Sequence, residues 1–156
     1  MGTNDEQGWD AARAAHRALH GILVEGKRAG QVQDDLDRAG PAFIGVFCAF
    51  FRNVMERALT GHESVDTVRS YLNRLKAAHP RELAALQTYP MAVFVLEQIG
   101  PGAPPPGESR LFSLEGELLH QMRLAADYTA KQENLVGDVL ELYLQGASAR
   151  YVTGTY

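Results

Sequence analysis

The stretch Pro41 to Leu59, PAFIGVFCAFFRNVMERAL, limits the folds open to this chain more than any other. From Ala42 through Phe51 it carries no charged or strongly polar side chain, and four phenylalanines fall inside it. At helical spacing Phe43, Phe47, Phe50, Val54 and Ala58 share one face, which Ile44, Phe51 and Met55 widen. A helix apolar all round its first turns has to be surrounded by other helices. It is shorter than the roughly 20 apolar residues that cross a bilayer. Arg52, Asn53, Glu56 and Arg57 are expected to return its second half to water. The stretch predicts the central helix of an all-α, single-domain bundle of five to six helices.

The flanking sequence supplies the neighbours. Trp9, Ala12, His16, Leu19 and Leu23 repeat at three-four spacing and predict a first helix from about Trp9 to Lys27. Gln31 to Arg38 is polar except for Val32 and Leu36, and reads either as a short exposed helix or as a loop. Ser64 is a good N-cap for a helix with the stripe Val65, Val68, Leu72 and Leu75. Pro80 opens a further helical segment with Leu83 and Leu86 inward. Pro90 predicts a break there, followed by a short helix to Ile99. GPGAPPPG, residues 100–107, is a semi-rigid spacer. Beyond it, heptad-like spacing from Leu114 to Tyr143 predicts one long helix over about 113–144, with Gly137 as a place to bend or split it. The tail, 146–156, reads as loosely held.

Of 156 residues, 46% are hydrophobic and 22% charged, a globular composition. The formal charge of −4 argues against nucleic acid as the main partner, though it is unevenly spread. Residues 52–81 hold six basic and three acidic side chains, net +3, and residues 82–156 hold four and nine, net −5. The single cysteine, Cys48, sits in the most apolar run and predicts a buried thiol. The N-terminal residues lack a basic stretch followed by an apolar run, so no secretory leader is expected. Together these features point to a reducing cytoplasm, with no membrane partner and no cofactor.

Three constellations carry possible chemistry. His16 and His20, four apart, share a helix face, and Glu117 with His120 forms an E-x-x-H pair. If the first and last helices touch, these four side chains could build a metal site. The passage SVDTVRSYLNRLKAAH resembles the recognition helix of helix-turn-helix regulators. That resemblance implies that Thr67, Arg69, Asn73, Arg74 and Lys76 face DNA while Val68, Leu72 and Leu75 hold the helix down. The preceding MERALTGHE does not keep the alanine-to-glycine spacing of that motif. No Walker sequence, dinucleotide fingerprint, G-x-S-x-G or paired cysteines are present, so catalysis is the class with least support.

The third constellation is the last helical segment itself. It has apolar residues on more than one face, so it can bury one stripe and offer another to a partner. Leu118, Met122, Leu135, Val139, Leu142 and Tyr143 are the expected contact residues. The sequence therefore favours a non-enzymatic regulatory or adaptor-like protein that meets itself as a homodimer, or another protein. A DNA-binding regulator or a metal- or apolar-ligand-binding bundle are the alternatives.

Overall fold

The computed structural model describes residues 2–101 and 116–154. In chain order the helices are α1 (Gly2–Leu23), α2 (Gln33–Ala39), α3 (Ala42–Ala58), α4 (Val65–Ala78), α5 (Thr88–Ile99), α6 (Gly116–Gln132) and α7 (Asp138–Thr153), with a 3₁₀ turn at Ala29–Val32 ahead of α2. The helices α1, α3 and α4 follow the apolar periodicity of the sequence. The all-α class stands, with seven helices among the described residues instead of five or six. None of them is long and apolar enough to cross a membrane. Residues 102–107 of the expected spacer, residues 113–115 of the expected long helix and residues 155–156 lie outside the description.

The described residues fall into two compact units, one of residues 2–50 and 136–154, the other of 51–101 and 116–135. In the first, α1 packs against both α2 and α7. Ala12, Ala14, Ala15, Ala18 and Leu19 are all fully buried there. Such small side chains let neighbouring backbones approach closely. The first half of α3 adds Val46, Phe47, Cys48, Ala49 and Phe50, all buried. At Gly45 the ring of Tyr151 lies where a Cβ would stand, so only glycine lets α7 seat its tyrosine on α3.

In the second unit α4 packs on α5, and both touch α6. Val68, Leu72 and Leu75 of α4, Met91, Ala92, Phe94 and Val95 of α5, and Met122, Ala125 and Ala126 of α6 make its core with Phe51, Val54 and Met55 of α3. Phe51 and Phe94 meet with ring centroids 5.6 Å apart. Arg52, expected at the surface, is 2% exposed. It donates to Oε1 of Gln98 at 3.2 and 3.4 Å, from Nη2 and Nε, which offsets part of the cost of burying the guanidinium. Pro80 starts only turns, not a helix, up to residue 85. Helix α5 then begins at Thr88, with Pro90 in its first turn, where a missing N–H costs no helical bond.

The one long C-terminal helix divides in two. Leu135 N–H reaches back to the Ala130 carbonyl at 2.7 Å and Asn134 takes a positive φ of 59°. That is a Schellman end for α6, with Asn134 as the left-handed residue and Leu135 as its apolar follower. Gly137, at φ 59° and ψ −127°, then turns the chain into α7. The expected loose tail is helical as far as Thr153, with Ala147 and Ser148 buried.

Candidate functional site

Helix α7 starts without a side-chain cap, but Asp138 and Glu141 in its first turn complement the positive end of the helix dipole. Its inward side carries Leu140, Leu144, Ala147 and Ser148, all buried. Glu141 leans toward α1, where His16 Nε2 lies 2.7 Å from Oε1 and His20 Nε2 lies 3.6 Å from Oε2. Tyr151 completes this side against Gly45.

The opposite side is open. Leu142 is 62% exposed and Val139 42%, and Val136, just ahead of the helix, is 49% exposed. Gln145, Gly146 and Thr153 are exposed too, with Ala149 and Val152 half-buried. The Thr153 hydroxyl is turned back on the helix, donating to the Ala149 carbonyl at 2.7 Å. Between Asp138 and Arg150 this side bears no charge, since Glu141 points at α1, and Arg150, half-buried, follows Gly146 by one turn. A water-facing helix side normally carries several charges, so this face is unusual.

The expected contact residues divide accordingly. Val139 and Leu142 lie on the open face, and Tyr143 is half-buried beside it. Met122 and Leu135 are core residues, 0% and 4% exposed, and are removed from any contact surface. The heptad reading carried them across a break in the helix, so their phase belongs to α6 and its cap. Leu118, half-buried, also lies on α6. Val136, Gly146 and Ala149 share the open side, and the lack of charge at three-four spacing between Glu141 and Arg150 is the sequence signal for the last two.

The expected metal ligands His16, His20 and Glu117 have partners within their own units. His16 and His20 meet Glu141, because the neighbour of α1 is α7. Glu117 instead accepts from Gln121 Nε2 at 3.2 Å within α6, and His120 is exposed. Around the histidines a cleft of about 400 Å³ is lined by Arg17, Glu25, Lys27 and Asp35 as well. Its charges satisfy one another: Arg17 with Asp35 at 3.0 Å, Lys27 with Glu25 at 3.2 Å and His20 Nδ1 with Glu25 at 3.1 Å. Lys27 and then His20 hold the Glu25 carboxyl below its usual range. Among the described residues no group of three or more His, Cys, Asp or Glu side chains is set up to hold a metal ion.

Helix α4 forms as expected, with Ser64 Oγ accepting from the Thr67 N–H at 3.2 Å. Asn73 and Arg74 are exposed. Arg69 lies 5.5 Å from the centroid of the Tyr89 ring, and Lys76 Nζ donates to the Leu86 carbonyl at 2.9 Å. Lys76 is thus tied to the segment before α5 rather than held out toward a phosphate. Six residues, 59–64, separate α3 from α4, against the three or four typical of a helix-turn-helix.

Compared with protein-family models, curated proteins and solved structures, the chain matches none.

Proposed function

We propose that this chain is a non-enzymatic helical protein of regulatory or adaptor type that works through protein–protein contact, with the open side of α7 as its contact surface. One observation carries the reading: Val136, Val139 and Leu142 are all more than 40% exposed on a side with no charge between Asp138 and Arg150. Scattered apolar side chains are ordinary on a protein surface, but exposed apolar side chains gathered on one side of a helix support an interaction site. The strip sits on a well-anchored helix, so its side chains are held in place before a partner arrives, which lowers the entropy lost on binding.

Capture from a lysate tests this directly, using three immobilised baits: the wild type, a Val139→Asp, Leu142→Asp double variant, and an Arg69→Ala, Arg74→Ala variant of α4. Proteins retained by the wild type and the α4 variant, this chain itself included, are expected to be lost from the α7 variant. Identical capture by all three baits would refute the assignment, and loss only from the α4 variant would move the surface to α4.

A further inference from the structure

Resting on that reading, we infer that the partner of the open side of α7 is a second copy of this chain. The two α7 helices cross antiparallel about a two-fold axis beside Gln145 and Gly146. The shape of the strip favours this pairing. The strip is graded, with bulky Val139 and Leu142 toward the start of α7 and small Gly146 and Ala149 farther along. A two-fold axis at its middle sets Leu142 of each copy against Ala149 of the other, and Val139 against the turn ending at Thr153. Bulk meets hollow at both ends, as a self-complementary isologous contact requires. A parallel pairing would set leucine on leucine at one end and leave a gap between the glycines at the other.

Charge points the same way. In the first turn of α7 Asp138 is on the open side while Glu141 faces α1, and the helix's one basic residue, Arg150, is in its last turn. Antiparallel helices bring each acidic end near the other copy's basic end and oppose their dipoles. Parallel ones would bring acid to acid. Area sets the strength. Sixteen residues make a helix about 24 Å long. Pairing two such faces buries on the order of 1,000 Å², the low end for specific contacts. The dimer is therefore weak and exchanges readily, and because its patch is fully used it stops at two.

Sedimentation velocity on the full chain, from about 5 to about 500 µM, tests the association. The wild type is expected to move from one chain toward two across that range. Gly146→Leu enlarges the apolar face while blocking close approach, and is expected to stay monomeric with unchanged helicity. Stronger association of this variant would show unspecific stickiness and overturn the inference.

Oxidative crosslinking fixes the orientation, since Cys48 is buried and does not compete. Gly146→Cys is expected to crosslink to itself and Leu142→Cys not, while a mixture of Leu142→Cys and Ala149→Cys crosslinks. Self-crosslinking of Leu142→Cys would mean a parallel pair and overturn the arrangement. A wild type that is monomeric throughout, with no crosslink at any position, would overturn the second copy as partner. Capture of other proteins by α7 would still decide the contact surface separately.

Discussion

Helices α4 and α7 are nearly the same length, and each belongs to its own unit, yet they treat water differently. Helix α4 buries Val68, Leu72 and Leu75 and turns Asp66, Ser70, Asn73 and Arg74 outward. It has one dry side and one wet side, and folding uses both. Helix α7 buries Leu140, Leu144 and Ala147 and then leaves Val139, Leu142, Gly146 and Ala149 on its other side. The contrast teaches that core packing accounts fully for α4 and for only half of α7. What core packing leaves over on α7 is the side assigned to the proposed contact.

The widest gap should appear between inward and outward aspartates. Leu72→Asp and Leu144→Asp each bury a carboxylate at a site 0% exposed, and should cost ~3–5 kcal/mol or unfold the chain in a urea melt. Ser70→Asp and Leu142→Asp should stay within ~0.5 kcal/mol of the wild type. A large loss from Leu142→Asp would erase the distinction. Next in size, Gly45→Ala drives a methyl into the Tyr151 ring and should cost ~1–3 kcal/mol. A double-mutant cycle with Tyr151→Ala should recover part of that loss. Full additivity would show that the close approach does not limit the seating of α7.

Smaller still is the cap. Ser64→Ala removes the acceptor for the Thr67 N–H and should lower stability by ~1 kcal/mol, an effect confined to α4 because α7 has no side-chain cap to lose. The smallest effect is one of pH. Burial alone would raise the Glu63 carboxyl, but donors on Thr60, and the Gly61 N–H, outweigh it and hold it below its usual range. A depressed carboxyl stabilises the fold above its unfolded value and loses that contribution as pH falls through the lower folded one. Melting temperature should therefore decline over that acidic window, and Glu63→Gln should flatten the decline. An equally steep decline in the variant would assign it to other carboxyls.

Much of the architecture was legible because it rests on local signals. The apolar run announced α3, Ser64 announced α4, and the stripe Val68, Leu72, Leu75 faced the core as its spacing required. Errors arose where a single residue outweighed a period. Arg52 reads as a surface charge, but it is buried and donates to a long-range partner, Gln98, which its own neighbourhood in the sequence does not reveal. The heptad pattern runs straight through Asn134, because periodicity does not register a left-handed residue that ends a helix. A pattern carried across that break puts Leu135 and Met122 on one stripe with Val139 and Leu142, whereas both are buried. The pairing of His16 and His20 on one face was legible, but Glu141 as their partner was not, since it lies 125 positions away from His16.

The most direct test of the account is native mass spectrometry of the full-length wild type beside Ser70→Asp and Leu142→Asp, with circular dichroism on the same samples. All three should be equally helical. The wild type and Ser70→Asp should share the same assemblies, and Leu142→Asp should appear as a single chain. If Leu142→Asp keeps the wild-type assemblies, or loses its helicity, the open side of α7 is not a contact surface.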